Sequence, residues 1–416
     1  MDTNKILNTD RALALSLLSP GAVRSRSRLL FEAGLAGKLS HFSLDLSHMP
    51  ALADYVVETI RQNYPTLAIP FHARWRHFTA AGQDLWAAID RSAQWPSPAA
   101  RGRAAYDLAI CSVLLDAGAG ADWRYHDART GFVGGRSEGL GIASLRMFEA
   151  GAFSSDANQP LRADAARLAR LSAHDIATGF QVSVDNPLVG LEGRAALLRR
   201  LGEAVLADAA FASKDTPRPG GLFDLLVDQA QNQKVPAPDI LQSLLLHLGP
   251  IWPGRMMLGG VSLGDCWQHP LIITGDATNG LVPFHKLSQW LAYSLIEPLQ
   301  GAGYSVTDID GLTGLPEYRN GGLFLDGGVI SLKDSGDATK AHAPDSLLVV
   351  EWRALTVALL DDIASLIRAR LGLDAHALPL AKVLEGGTWA AGRRIARDKR
   401  AGGGPPLAII SDGTVF

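Results

Sequence analysis

Within the stretch Thr307–Asp326 (TDIDGLTGLPEYRNGGLFLD), the carboxylates Asp308, Asp310, Glu317 and Asp326 stand beside the pair Tyr318-Arg319 and several glycines. Carboxylates next to an arginine on a loop suit chemistry: one can stabilise positive charge or orient water, another can hold a proton, and the guanidinium can hold an anion. The same residues suit a salt-bridged turn. No apolar face survives at period 3.6 between Asp308 and Glu317, and no period-two alternation replaces it, so the spacing predicts turn, short helix and turn.

Other groups have chemical potential. Ile69–Phe78 (IPFHARWRHF) crowds His72, Arg74, Trp75, Arg76 and His77. Two arginines around a tryptophan suit a phosphate or carboxylate, gripped through planar forks. They equally suit an amphipathic segment that buries Trp75 and Phe78. In LLDAGAGADWRYHD, Gly118 and Gly120 clear space beside Asp116, Asp122 and Trp123, as a pocket wall or as a helix cap. Gly134-Gly135-Arg136 opens a helix, but no GxGxxG follows a strand and no P-loop lysine exists, which excludes a nucleotide-binding Rossmann unit. Asp265, Trp267 and His269 lie in a long loop rich in Gly and Trp, a kind of loop that is usually functional. His285 and Lys286 fall in the first turn of a helix predicted over 281–299, where a cation opposes the dipole; this points to a ligand contact for Lys286.

Helices dominate the elements that must position these groups. Ser19-Pro20 starts one that Gly34 and Gly37 end, Ser47 is placed to cap a second, and Asn63-Tyr64-Pro65 closes it. Further helices are predicted over 99–115, from Leu161 to about Ser213 with a break at Asp185-Asn186-Pro187, up to Gln233, and over 239–248. Pro283 and Pro298 bound the 281–299 helix, and Asp345 caps the long helix that Gly372 stops. Strand signals are confined to GGVISL and the C-terminal LAIISDGTVF, so the class is mainly α. The chain reads as one large helical domain over 1–416, or as two lobes, 1–217 and 218–416, divided at Arg218-Pro219-Gly220-Gly221.

Composition places the chain among ordinary globular proteins. The chain has 416 residues, 47% hydrophobic and 19% charged, with a net charge of −3, which offers no electrostatic footprint for nucleic acid or anionic membrane. Cys111 and Cys266 lack zinc-site spacing and fit a reducing compartment. The N-terminus lacks a signal-peptide pattern, and runs such as Leu347–Val350 are far shorter than the roughly 20 residues of a membrane span. A cytoplasmic protein is expected.

The strings GKLSHFSLD, IPFHARWRHF, SVLLDAGAGADWRY, RSEGLGIAS, GGLFDLL, LGPIWPGR, LGGVSLGDCWQHP, GLVPFHKLSQWLAYSLIEPL, DGLTGLPEYRNGGLFLD and SDGTVF resemble the uracil-catabolism protein 4 family, from about Leu17 to Phe416. The resemblance implies a place in the route from uracil to urea and a three-carbon acid. The motif order is also similar to that of queuosine-nucleotide salvage hydrolases, which have a DNA-glycosylase-like helical fold and cut an N-ribosyl bond. Asp308-Ile309-Asp310-Gly311-Leu312-Thr313 with Glu317-Tyr318-Arg319 matches one of their motifs, Phe284-His285-Lys286 with Gln289 another, and Leu115-Asp116-Ala117 with Trp123 a third. Gly118–Ala121 departs from their aromatic base pocket, so a small leaving group would be held by hydrogen bonds from Asp116 or Asp122.

This similarity implies an N-ribosyl hydrolase that releases urea or a ureido product from a phosphorylated ribosyl-urea intermediate. Asp308, Asp310 and Glu317 are the catalytic candidates. Lys286, His285, Tyr318, Arg319, Asp116, Asp122, Trp123, Arg74, Arg76, His72 and Asp265 are the substrate-binding candidates, and Lys286, Arg319 or the Arg74/Arg76 pair would take the phosphate. The chemistry requires no metal or other cofactor. The expected partner is the phosphorylated ribosyl substrate, not nucleic acid or membrane. One alternative is a zinc amidohydrolase or deaminase using His72, His77 and His285, although no HxH or HExxH spacing supports it. Another is a scaffold associated with the pathway's cyclohydrolase-like enzyme.

Overall fold

Apolar residues surround the long helix Leu347–Leu371 so densely that its first half is buried on every side. Its cap is Ser346 and not Asp345: the Ser346 hydroxyl accepts the Val349 N–H at 3.4 Å, and Gly372, left-handed at φ 66°, ends it. The structure is a computed structural model and describes residues 3–116, 118–212, 216–252 and 256–410. It is mainly α, and its strands are two or three residues long. The C-terminal strand expectation is met at Ala408–Ile409, and its remainder, 411–416, lies outside the described residues. No helix among the described residues is long and apolar enough to cross a membrane.

Two compact units form, each from separated stretches. The first takes Met1–His72, Gly254–Gln289 and Asp308–Phe416, and the second takes Ala73–Pro253 and Trp290–Thr307. In the first, helices Pro20–Leu35 and Met49–Asn63 pack on Leu347–Leu371. Arg24 and Arg28, one turn apart, reach Asp361 at 2.7 Å and Asp362 at 2.8 Å. Ser47 does not cap the second helix; it lies in a 3₁₀ turn capped by Asp45, to which it donates its hydroxyl at 2.6 Å. Strand Ile330–Leu332 pairs antiparallel with Phe42–Leu44, Ser331 facing Ser43. Helix Tyr318–Asp326 packs on helix Trp389–Lys399.

In the second unit, the 3₁₀ turn Arg74–Phe78 lies against helices Pro98–Leu114 and Arg136–Glu149. The approach is close enough that a Cβ on Gly141 would sit 2.6 Å from the His77 carbonyl oxygen, so only glycine fits there. Arg218–Gly221 lies inside this unit, where buried Asp107 accepts from the Arg218 Nε at 2.8 Å, the Gly220 N–H at 2.5 Å and the Ala163 N–H at 2.9 Å. The helix expected to reach Gln233 stops at Gln229, ahead of Asn232 and Gln233, both left-handed at φ 52° and 58°.

The predicted 281–299 helix differs at both ends. Leu281–Pro283 is a strand paired with Cys266–Gln268, and the helix runs from Lys286 to Gly301 with Pro298 inside it. Pro298 lacks an N–H, which would leave the Ser294 carbonyl unpaired four residues earlier. The Trp75 indole N–H fills that vacancy at 2.6 Å. Trp75→Phe therefore leaves a buried carbonyl without its donor and is expected to cost about 1–3 kcal/mol of unfolding free energy, read by urea denaturation.

Candidate functional site

Asp265 organises the first turn of the Lys286–Gly301 helix from twenty-one residues upstream of its start. Its backbone carbonyl accepts the N–H groups of Phe284 at 2.9 Å and His285 at 3.2 Å, and its carboxylate accepts that of Lys286 at 3.0 Å. A carboxylate here complements the helix dipole. Both Arg353 Nη atoms reach the same carboxylate at 2.7 Å, the Trp267 indole donates to it at 2.7 Å, and the Arg353 guanidinium lies 4.2 Å from the centre of the Phe284 ring. Burial by itself would raise the Asp265 pKa, but the Arg353 charge and these hydrogen bonds more than offset it and hold the carboxyl well below the usual carboxylate range.

His285 is forced into the left-handed region at φ 50° by the bonds its neighbours make to Asp265. Its Nε2–H donates to the Leu17 carbonyl at 2.9 Å, and burial keeps the ring neutral by pushing its pKa down, against the opposing pull of that carbonyl. One turn on, Gln289 and Thr313 bond reciprocally: the Thr313 N–H donates to Gln289 Oε1 at 2.9 Å, and the Gln289 amide nitrogen donates to the Thr313 hydroxyl. The 284–289 and 308–319 stretches, distant in sequence, thus meet in the first unit.

The carboxylates of the 308–326 stretch have different surroundings. Asp310 bridges Arg368 Nη2 and the Leu380 N–H, each at 2.6 Å. Glu317 is the N-cap of helix Tyr318–Asp326 and accepts the Arg319 N–H at 2.9 Å and the Asn320 N–H at 2.6 Å. Asp326 pairs with Arg400. Asp308 is exposed and left-handed at φ 49°, and its carboxylate meets no hydrogen-bond partner among the described residues.

A second group in the same unit gathers around Trp389. The Arg319 guanidinium lies 4.4 Å from the Trp389 ring centre and 5.3 Å from that of Tyr318, with no carboxylate partner among the described residues. The His72 ring stands 5.7 Å from the same indole, and its Nδ1 meets Glu385 Oε2 at 2.7 Å. The local chain explains the convergence. Asp310 anchors the start of helix Leu380–Val383, the Ala381 carbonyl takes the His72 backbone N–H at 2.9 Å, and a widened π turn, Leu384–Thr388, then presents Glu385. Such turns recur at functional sites. A Cβ on Gly392 would stand 2.3 Å from the Arg319 carbonyl oxygen, so glycine lets the following helix close down and lay Trp389, three residues earlier, over Arg319.

The second unit holds the remaining candidates. Arg74 is fully buried, 2.9 Å from Asp116, and donates to Ser112 at 2.7 Å and the Ser137 carbonyl at 3.2 Å. Burial pushes the Asp116 carboxyl up and outweighs the attraction of Arg74, so the pair is an internal clamp. Arg76 meets Glu297 at 2.6 Å, and both forks expected to grip an anion thus face protein carboxylates. Trp123 is buried against Phe180 at 5.8 Å and donates to its carbonyl, while Asp122 is exposed. Ala117 lies outside the described residues. His77 stands edge-on to Trp290 at 6.0 Å. No group of three or more His, Cys, Asp or Glu side chains converges as a metal-ligand set among the described residues.

Sequence reasoning missed Glu385, Trp389 and Arg353. Gly386-Gly387 inside a helical pattern is the local signal that marked the π turn; nothing near Arg353 announces Asp265.

A family model described as "Protein of unknown function (DUF1688)" matches residues 16–416. Protein urg3 of Schizosaccharomyces pombe is 38% identical over 411 residues, covering 96% of this chain and 98% of the relative. Uracil catabolism protein 4 of Lachancea kluyveri is 37% identical over 414 residues, covering 91% of this chain and 93% of the relative.

Asp265→Asn removes the charge that compensates buried Arg353 and is expected to cost about 3–5 kcal/mol, read by chemical denaturation at neutral pH. The pH dependence has a definite sign. The folded pKa values of His285 and Asp265 both lie below their unfolded ones, so the unfolded chain binds the extra protons and stability falls as pH drops. Melting temperature is expected to decline first as pH falls through the ordinary histidine range, then again below the ordinary carboxylate range, and His285→Gln is expected to remove the first step.

Proposed function

The chain belongs to the DUF1688 family, and from that premise we propose that it acts in uracil catabolism as a hydrolase that cuts the N-ribosyl bond of a phosphorylated ribosyl-urea. The observation that carries the reading is Arg319. A guanidinium resting on two aromatic rings, with no carboxylate partner among the described residues, is an anchor for a phosphate, which it grips through a planar fork. Further support comes from the name of the Lachancea kluyveri relative, which matches over most of both chains.

In the proposed reaction the C1′–N bond breaks with its electron pair going to nitrogen, a water oxygen bonds to C1′, and the nitrogen gains a proton. The products are urea and ribose 5-phosphate. The ribosyl carbon passes through an oxocarbenium-like state that a nearby carboxylate stabilises. Asp308 takes that role, because both oxygens of Asp310 and of Glu317 are engaged by protein donors. Engaged carboxylates are stabilising struts, and an unengaged one is available to a developing cation.

Purified protein mixed with ribosyl-urea 5-phosphate is expected to release urea and reducing sugar in equal amounts. Arg319→Ala is expected to raise KM about 10- to 100-fold, the loss of one charge-assisted phosphate contact. Asp308→Asn is expected to lower kcat by about 100-fold or more with an unchanged melting temperature. The absence of both urea and reducing sugar from the wild-type reaction would overturn the assignment.

A further inference from the structure

We infer that His72 and Glu385 form the proton-transfer pair of the Trp389 site, with His72 as the acid–base and Glu385 as the residue that positions it. The inference rests on the ribosyl-hydrolase reading for the bond that is cut, but its geometric basis is separate. Glu385 reaches His72 Nδ1 at 2.7 Å, and the two side chains keep 10% and 15% of their surface exposed, so the pair is sheltered without being sealed. A carboxylate at Nδ1 sets the imidazole tautomer and steadies the ring when it becomes charged. His72 also shares its indole with Arg319, the proposed phosphate anchor. A proton donor and an anion anchor, separated by more than 200 residues of sequence, thus meet on one aromatic side chain.

The backbone around the pair is arranged for this presentation. A regular α-turn through 384–388 would rotate Glu385 relative to Trp389, and the π turn inserts the extra residue that lets both side chains meet His72. Several charged and titratable groups lie near the ring. Glu385 touches it, Tyr64 stands 3.5 Å from Glu385, and Arg319 and Arg393 lie over the Trp389 indole at 4.4 Å and 5.0 Å. Lys382 lies over Phe71 at 5.8 Å. In the hydrolysis the pair takes one proton from the attacking water and returns it to the departing nitrogen, so no net proton is lost and no co-reactant is needed.

The test combines turnover with an NMR measurement of the His72 ring that needs no turnover. Glu385→Gln preserves shape and is the primary variant, with His72→Gln as the second. Both are expected to lower kcat for urea release, by about 10- to 100-fold and about 10²- to 10⁴-fold respectively, with KM within about twofold of wild type. In parallel, the His72 ring is followed by NMR at one fixed pH, with and without ribose 5-phosphate. Ribose 5-phosphate is expected to displace the His72 ring resonances in the wild type and not in Arg319→Ala. Wild-type kcat in both variants would overturn the inference and leave the pair a structural clasp. If the wild type releases no urea, the hydrolase reading fails and the NMR arm alone decides: a His72 signal indifferent to ribose 5-phosphate overturns the pair as well, and a responsive one upholds it.

Discussion

The buried ion pair of Asp265 and Arg353 is the constraint on which the first unit depends. Taking both charges out of water is expensive, and the cost is offset only because every lone pair of the carboxylate is directed at a donor. Those donors come from three separate stretches: the long Leu347–Leu371 helix, the strand at Trp267 and the start of the Lys286–Gly301 helix. Through its carboxylate and its backbone carbonyl, Asp265 thereby sets where a helix begins, holds His285 in a conformation that a non-glycine residue rarely adopts, and fixes the turn that carries Gln289.

From Gln289 the ordering passes to the acidic stretch through Thr313, and from Asp310 to the Leu380 helix and its π turn. The carboxylates at 310, 317 and 326 hold helix ends and loops in place, each by donors that satisfy it. Arg319 stands apart from this network because its guanidinium is held by ring faces alone among the described residues. Ring faces orient a cation without neutralising it, which leaves the charge for a ligand.

The two arginines that look most like an anion grip in the sequence, Arg74 and Arg76, are bound to Asp116 and Glu297 within the second unit. An Arg-Trp-Arg string carries no information about which carboxylates the fold will bring to it. Pro298 teaches the same lesson for the backbone. It reads as a helix end, yet the helix continues because Trp75 supplies the hydrogen bond that proline cannot.

The mainly α class, the Ser19-Pro20 start and the Gly372 stop were legible in the sequence, because each rests on interactions within a few residues, and the strand at Ile330 was legible from its local residue types although its partner Phe42–Leu44 is distant. The concentration of chemistry between Thr307 and Arg319 was legible for the same reason. Which carboxylates there are engaged and which is open was not, since Arg368, Leu380 and the Glu317 cap geometry decide it. Glu385 and Trp389 join His72 and Arg319 only through a π turn and the close approach at Gly392. Those contacts are long-range, and local periodicity contains no signal for them. Sequence alone determined the residue types available for the chemistry, and tertiary packing decided which of them keep a charge unspoken for.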